Sequence, residues 1–374
     1  MEWLKKIEIA FRKLLLRVLG LFIRRKRALP PDTDFRGAKY LFVRQDRIGD
    51  VLVSTPLFAE LKTAYPSATI DVLLSTNNHF VLENDPFVRK RWVYRKNILA
   101  IMKLLRELRS EQYDFVIDLM DNPSATSTLL LAWAGGRWNV GLEKENSYVY
   151  DVCVPLLSRK ETHIVDRLVE LLRVFRINVD HAKLRLHYRT SQESIDFAAD
   201  FWKDRQLTGK VVVGINISPT DGVRFWGVDN FQRLIRHLQE RYPAFAILVL
   251  FHPAEKHIAE NIAAPFPKVI LSPETQSFDQ FAALIQRLHF LITPDTSAVH
   301  VAAAFQVPSV VLYVQSNPDL RIWDPYHAPS ETLVTPVDDL KTIPPEQVLE
   351  AFHRLVTRMS SMSISSPYSI SIES

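Results

Sequence analysis

Acidic, hydroxyl and histidine side chains converge in one short stretch, TPDTSAVH, from Thr293 to His300. An apolar run precedes it, Leu288 to Ile292, and reads as a buried strand. VAAAF, Val301 to Phe305, reads as a helix, and PSVVLY, Pro308 to Tyr313, as the next strand. The stretch thus stands at the carboxyl end of a strand, where open α/β sheets bind ligands. Asp295 is placed to cap the new helix, and the backbone N–H groups of Thr296, Ser297 and Ala298 would then face an anion such as a diphosphate. Asp is a common helix cap in its own right, so the stretch gains weight from a second one of the same kind near the other end of the chain.

That second stretch is RQDRIGD, Arg44 to Asp50. Tyr40 to Val43 is a short apolar strand before it, with Gln45 to Asp50 as a polar turn. Val51 to Ala64 carries apolar residues at Val53, Leu57, Phe58 and Leu61, a helical spacing, and Thr69 to Leu74 is another strand. The unit is strand–loop–helix–strand with Asp50 at the mouth of the loop. Pro56 argues for a kinked or late-starting helix. Glycine is scarce, 10 of 374 residues, and Gly49 is expected to let the backbone turn tightly and approach a ligand. Spacing alone leaves Asp50 open between helix cap and reacting carboxylate.

The elements that must hold these residues repeat along the chain. Lys39 to about Leu186 alternates strands (Tyr40–Val43, Ile70–Leu74, Phe115–Asp118) with helical stretches (Ile98–Leu108, Ser124–Ala134, Ile164–Phe175). About Ser191 to Val356 does so again, with strands Val211–Asn216, Ala246–Leu250, Phe290–Thr293 and Ser309–Tyr313. Such alternation implies parallel, doubly wound sheets. The boundary is read near Leu184 to Gln192, which gives domains over 38–188 and 189–357. A chain of 374 residues with 47% hydrophobic and 24% charged content suits two globular domains. Its single cysteine, Cys153, can form no intrachain disulfide and no zinc site. No HExxH or carboxylate run suggests a metal, and no GxGxxG or P-loop supports a dinucleotide oxidoreductase or an ATPase of that class.

In their order and spacing, the motifs resemble glycosyltransferase family 9, the heptosyltransferases of lipopolysaccharide synthesis. That family opens with an apolar strand and a short polar stretch ending in Gly-Asp, here RQDRIGD, followed by a Thr-Pro in the first helix, here Thr55-Pro56. Its second half carries Asp-Thr-Gly-x-x-His, a small-residue helix and a Val-Pro turn, here DTSAVHVAAAFQVP, Asp295 to Pro308. Between them lies a basic residue two before a Trp that opens a helix, here RFWGVDNFQRLI, Arg224 to Ile235. The resemblance spans about Lys39 to Ala351. Three positions depart from it: Ser297 replaces the Gly of the Asp-Thr-Gly motif, Arg224 replaces a frequent Lys, and His252 in FHPAEKH replaces a Gly. Ser297 keeps its N–H for a diphosphate provided the backbone there needs no positive φ, and Arg224 keeps the charge with a forked donor.

The resemblance implies an α/β protein of GT-B type, two Rossmann-like doubly wound domains facing a cleft; the N-terminal amphipathic helix expected before them is read from residue spacing. It implies inverting, metal-independent transfer of a heptose or related sugar from a nucleotide diphosphate donor, with ADP-heptose favoured, to a lipid A–core acceptor, and no cofactor. Asp50 is the expected base, by position and by the family's motif, with Asp46 as competitor. Asp295, Thr296, Ser297 and Arg224 are expected to meet the departing diphosphate. Ser218 and Thr220 end a strand within reach of phosphate, and Glu255 could accept hydrogen bonds from a ribose or simply sit at a helix start. His300 lines the donor site in the family motif or is packed structurally. Arg44 and Arg47 flank the base loop and are expected to pair with acidic groups of the acceptor. Asp118 and Asn122 end another strand, where loop polarity is the stronger reading. A two-domain nucleotide-sugar epimerase and a non-catalytic scaffold of the same fold are the rival readings.

Charge is unevenly placed. Residues 1–30 hold nine Lys or Arg and two Glu, a sum of +7, whereas the whole chain sums to +4. The remaining body is therefore slightly acidic and shows no basic stripe with interleaved aromatics, which counts against nucleic acid as a partner. Within the arm, residues 1–31, Leu4, Ile7, Phe11, Leu14, Leu15, Val18, Leu21 and Phe22 share one helical face. Lys5, Arg12, Lys13 and Arg17 fill much of the rest. Too many charges interrupt it for a membrane span or a signal peptide. A basic amphipathic helix lying on an anionic membrane surface fits this pattern, with a helix packed on the body or on a partner chain as the alternative. The expected location is the cytoplasm, peripheral on the cytosolic face of the bacterial inner membrane. Residues 358–374 are Ser-rich and read as a disordered tail.

Overall fold

The computed structural model describes residues 14, 16–23, 27–219, 222–315, 317 and 319–363. The chain divides after Leu184 into two compact units. In the first, β1 (Lys39–Val43), α1 (Ile48–Leu52), α2 (Thr55–Ala64), β2 (Thr69–Ser75), β3 (Lys90–Tyr94), α3 (Ile98–Glu111), β4 (Phe115–Asp118), α4 (Ala125–Trp133), β5 (Trp138–Leu142), β6 (Val152–Val154) and α5 (Ile164–Val169) follow one another. The strands pair in parallel in the order β3-β2-β1-β4-β5-β6.

The second unit runs α6 (Gln192–Asp204), β7 (Val212–Asn216), α7 (Val228–Arg241), β8 (Ala246–Leu250), α8 (Lys256–Ala263) and β9 (Ile270–Leu271). It continues through α9 (Phe278–Gln286), β10 (Phe290–Pro294), α10 (Ser297–Ala304), β11 (Ser309–Val314), β12 (Ser330–Thr335) and α11 (Pro345–Ser363). Its strands are also parallel, ordered β12-β11-β10-β7-β8-β9. Counted from each unit's first strand, both sheets have the same order. Winding reverses between β1 and β4 in one and between β7 and β10 in the other. At such switch points the connections leave to opposite faces and a crevice opens at the carboxyl ends of the strands.

The strands read from sequence are those buried on both faces: Tyr40 to Val43 and Val212 to Asn216 are buried throughout. The unread strands are β3, β5, β6, β9 and β12, and four of these are sheet edges. Edge strands carry exposed polar positions, so KRWVY and SETLVT lack the apolar run of a central strand. β5, WNVGL, is interrupted by Asn139 and Gly141. The glycine is required because a Cβ there would lie 2.5 Å from the Tyr150 ring.

Two expectations around the first loop change. The helix starts at Ile48, so Asp50 belongs to its first turn rather than to a polar turn before it. Gly49 therefore lies inside α1, outside the left-handed region, and makes no tight turn. The chain breaks at Val53–Ser54 and restarts as α2, with Pro56 in the first turn, where its missing N–H leaves no bond unmade. At the other end, α11 continues to Ser363, past the point where a disordered tail was expected, because Met359 packs on the second core and Arg358 donates to the Ser330 carbonyl at 2.9 Å. Residues 364–374 lie outside the described residues.

Part of the arm is visible. Residues 16–22 are helical. Tyr148 donates its hydroxyl to the Leu16 carbonyl at 2.7 Å, and Ile23 packs beside Leu104, Leu108, Leu130 and Leu131. Arg27 pairs with Asp151 at 2.8 Å and lies 4.6 Å over Trp138. Residues 1–13, 15 and 24–26 lie outside the described residues. Among the described residues, no helix is long and apolar enough to cross a membrane.

In the second unit, α7 buries Phe231, Leu234, Ile235 and Leu238, one stripe at helical spacing. Trp226 stands just before it, fully buried, its indole N–H on the Ile343 carbonyl at 2.9 Å and its ring edge-on to Phe231 at 5.1 Å. Gly227 makes the corner between them with φ +99°, a conformation that a side chain strains. Gly227→Ala is expected to lower the unfolding free energy by about 1–3 kcal/mol in urea titration. An unchanged midpoint would show that the corner does not need glycine.

Candidate functional site

In the first unit, the switch point is organised by Arg44, the residue directly after β1. It is 0% exposed. Its Nε donates to the Asp50 carbonyl at 2.9 Å, one terminal nitrogen to the Leu119 carbonyl after β4, and the other to Asp50 Oδ1 at 3.2 Å. Asp46 Oδ2 lies 3.4 Å from the same guanidinium. A charge buried this deeply is tolerated only when paired and hydrogen-bonded, and here both conditions hold. The expectation that Arg44 faces an acceptor is therefore corrected: its donors point into the loop. Arg47 is the exposed cation of the pair.

Asp50 is 8% exposed and fixed from both sides. Oδ1 meets Arg44, and Oδ2 accepts the Arg47 N–H at 3.0 Å, closing the helix start. Its carbonyl also accepts the Ser54 hydroxyl at 2.8 Å. The carboxylate is thus both a first-turn anchor of α1 and the acid held at the carboxyl edge of β1, and the two roles share one geometry. Burial pushes the neighbouring Asp46 carboxyl up to about 7; Arg44 opposes this and the Asp50 charge adds to it.

Asp118, read as loop polarity, is instead wholly buried. It accepts from the Tyr150 hydroxyl at 2.6 Å and pairs with Lys144 at 3.1 Å, locking the ends of β4 and β5 together. Burial first, then the Asp118 charge, pushes the Tyr150 hydroxyl well above its usual range. Asp121 pairs with Arg167 at 2.8 Å, and Asn122 accepts from Arg159 at 2.7 Å. Along the same edge is a cavity of about 560 Å³. Gln45 after β1, Ser75 ending β2 with Thr76 and Asn77 after it, Tyr94 ending β3 with Arg95 and Lys96 after it, Met120 and Ser124 between β4 and α4, and Thr126 in the first turn of α4 line it. Of these, the exposed Arg95 and Lys96 went unread because β3 itself was unread.

In the second unit, Thr296 rather than Asp295 caps α10: its Oγ1 accepts the Ala298 N–H at 3.2 Å. Asp295 turns aside to pair with Arg224, Oδ2 to Nε at 3.5 Å. Both residues offer a capping oxygen, and the cation brought in from the turn before α7 decides between them. No hydrogen bond among the described residues uses the Thr296 or Ser297 N–H. Ser297 has no positive φ, so a residue other than glycine is accommodated there. His300 is buried in α10, its ring 6.3 Å from Trp323.

Asn216, which ends β7, was not singled out from sequence. It is buried, and its amide donates to Thr293 Oγ1 at 2.9 Å and to Thr296 Oγ1 at 3.4 Å, while its carbonyl oxygen accepts the Ser218 N–H at 3.2 Å. A polar residue closing the apolar run VVVGIN was the available signal. Ser218 donates its hydroxyl to Glu255 and accepts the His252 N–H at 2.7 Å. His252, the departure from glycine, caps the following turn through Nδ1, which accepts the Ala254 N–H at 3.3 Å. Ser218, Glu255, Thr296 and Arg224 thus ring the β7/β10 switch point. Thr220 lies outside the described residues.

Doubly wound parallel sheets in both units, with an acid at one switch point and a helix start beside a cation at the other, give the two-domain α/β architecture of GT-B type. The model of glycosyltransferase family 9 (heptosyltransferase) matches residues 101–342, and the chain belongs to that family. Lipopolysaccharide heptosyltransferase 3 of Escherichia coli (strain K12) is 26% identical over 299 residues, 74% of this chain and 82% of that protein. Among solved structures, the glycosyl transferase family 9 protein from Veillonella parvula DSM 2008 aligns with a TM-score of 0.75 at 20% identity, covering 87% of this chain and 99% of that one. E. coli heptosyltransferase WaaC with ADP-2-deoxy-2-fluoro heptose aligns with a TM-score of 0.67 at 18% identity, over 84% of this chain and 99% of that one.

The raised Asp46 carboxyl has a measurable consequence. Folded Asp46 keeps its proton up to about pH 7, whereas the unfolded side chain loses it near its ordinary 3.8. Between those values the folded state binds more protons, so this group's contribution to stability falls as pH rises. Asp46→Asn is expected to raise the thermal midpoint at pH 8 more than at pH 5. Equal shifts at both would place Asp46 in an ordinary solvated environment.

Proposed function

We propose that this protein transfers a heptose or closely related sugar from a nucleotide diphosphate donor, with ADP-heptose favoured, to a lipopolysaccharide core acceptor, inverting the anomeric centre. The observation that carries this reading is the pairing of unused N–H groups at the start of α10 with the Asp295-held Arg224. Together they form a cationic, dipolar cradle suited to a diphosphate. The sugar and the nucleotide are taken from the similar E. coli proteins, lipopolysaccharide heptosyltransferase 3 and heptosyltransferase WaaC with ADP-2-deoxy-2-fluoro heptose.

In this mechanism Asp50 takes the proton of the acceptor hydroxyl as that oxygen attacks the anomeric carbon on the face opposite the diphosphate. The bond from the anomeric carbon to the diphosphate oxygen breaks, and the nucleoside diphosphate leaves with the bonding pair. Its charge is met by the N–H groups of Thr296 and Ser297 and by the Arg224 guanidinium, so no metal is called for. Glu255, oriented by Ser218, accepts from a ribose hydroxyl, and His300 holds its helix against Trp323 behind the donor. The acceptor occupies the cavity at the first unit's edge, with Arg47, Arg95 and Lys96 meeting its acidic groups. The arm, residues 1–30, holds the enzyme to anionic lipid on the cytosolic face of the inner membrane.

Asp50→Asn is expected to lower the turnover of sugar transfer by about 10²–10⁴-fold while leaving ADP affinity within a few-fold, since the two functions belong to different units. Near wild-type transfer would remove Asp50 from the mechanism. Arg224→Ala is expected to weaken ADP binding in calorimetry by about 1.5–3 kcal/mol. Asp295→Asn is expected to weaken it less, by loosening Arg224. Unchanged affinity in both variants would move the donor site elsewhere.

A further inference from the structure

The first turn of α3 buries nothing. Ile98, Leu99 and Met102 are 69%, 72% and 62% exposed, although α3 has a well-formed core face in Leu104 and Leu108. At helical spacing Ile98, Leu99, Met102 and Arg106 form one outward stripe. The stretch from Arg95 to Arg106 holds four cations, Arg95, Lys96, Lys103 and Arg106, all exposed, and no acidic residue. Lys103 reaches Glu107 at 3.8 Å, while the other three form no ion pair among the described residues. An apolar stripe flanked by uncompensated cations is complementary to a surface with an apolar interior and an anionic skin.

The topology gives this turn a neighbour of the same kind. α3 and α4 cover one face of the first sheet, and the arm packs there too, through Ile23 in the cluster of Leu104, Leu108, Leu130 and Leu131. Leu16 is tied to Tyr148, which follows the carboxyl end of β5, whereas Arg27 donates to the Arg137 carbonyl at its amino end. The arm therefore runs from the carboxyl edge toward the amino edge. Its Leu14, Val18, Leu21 and Phe22 are exposed apolar side chains, as Ile98, Leu99 and Met102 are.

We propose that the first turn of α3 is a second membrane-contact element, seated with the arm on a bilayer rich in anionic phospholipid. The inference rests on the membrane reading given to the arm and extends it to the body. Because α3 begins directly after Arg95 and Lys96, this contact sets the mouth of the 560 Å³ cavity at the level of the lipid headgroups. A lipid-borne acceptor then presents its sugars to the cavity without leaving the bilayer.

The test uses the full chain in a Cys153→Ser background, with one cysteine at a time introduced as Leu99→Cys, Phe22→Cys or Glu240→Cys and labelled with an environment-sensitive fluorophore. With phosphatidylethanolamine–phosphatidylglycerol vesicles, the labels at 99 and 22 are expected to shift to the blue and to be quenched by nitroxide lipids. The label at 240, on an exposed position of the second unit, is expected to do neither. In co-sedimentation, the unlabelled double variant Leu99→Asp, Met102→Asp is expected to bind the same vesicles at least about tenfold more weakly, with an unchanged thermal midpoint. If the label at 22 enters the bilayer while that at 99 stays in water, the α3 contact is wrong and the arm reading survives. If neither enters, both fall. A blue shift at 99 that grows with protein concentration in the absence of vesicles assigns the stripe to a second copy of the chain and overturns the proposal.

Discussion

The first unit depends on a buried positive charge. Where winding reverses between β1 and β4, the two strands send their chains to opposite faces, and the backbone carbonyls just beyond them lose the ladder that satisfied the strands. Arg44 fills that gap, reaching the Leu119 carbonyl on one side and the Asp50 carbonyl on the other. Taking a guanidinium out of water costs several kcal/mol, so the site is stable only with counter-charges in place. Asp50 supplies the counter-charge, and Asp46 lies beside it as a carboxyl that burial holds protonated up to about pH 7. The acid assigned to chemistry is thus also a structural debt of the switch point, which explains why it is buried, aimed and tied through both oxygens.

The second unit meets the same topological problem with a neutral solution. Asn216 spans from β7 to Thr293 of β10 and to the Thr296 cap. A neutral tie keeps the start of α10 free of a nearby carboxylate anchor. The one carboxylate that could have capped the helix, Asp295, is drawn off by Arg224. The start of α10 is left with N–H donors, the Thr296 hydroxyl and the guanidinium that Asp295 holds, a set that favours anions, while Glu255 stands beside Ser218 after β8. The two sheets share one strand order, yet their switch points differ in chemistry: one concentrates carboxylates around a cation, the other a cation and dipoles around an open helix start.

What was legible in the sequence follows from burial. Central strands other than β5, which Asn139 and Gly141 interrupt, are apolar on both faces and were read to within a residue or two, whereas β3, β6, β9 and β12 are edges whose polar positions hide them. The motifs located both switch points because they follow central strands directly. Direction was not legible. RQDRIGD shows two arginines and two aspartates but not that Arg44 points inward and Arg47 outward, since that depends on Leu119, which is distant in sequence. Likewise Asp295 and Thr296 are both competent caps, and Arg224 chooses between them. Arg95 and Lys96 were missed together with the strand that delivers them.

One polarity unites these observations. In a parallel sheet every strand delivers its following loop to the same edge, so in the first unit Asp50, the cavity cations Arg95 and Lys96 and the exposed turn of α3 reach one edge for a single reason. Helices that return along the faces bury one stripe and leave the other to water, and a stripe such as Ile98, Leu99 and Met102 is costly there unless something covers it. Its position one turn beyond Arg95 and Lys96 ties the question of what covers it to the question of what enters the cavity. For a lipid-borne acceptor the two answers coincide: the surface that shields the stripe is the one that carries the substrate.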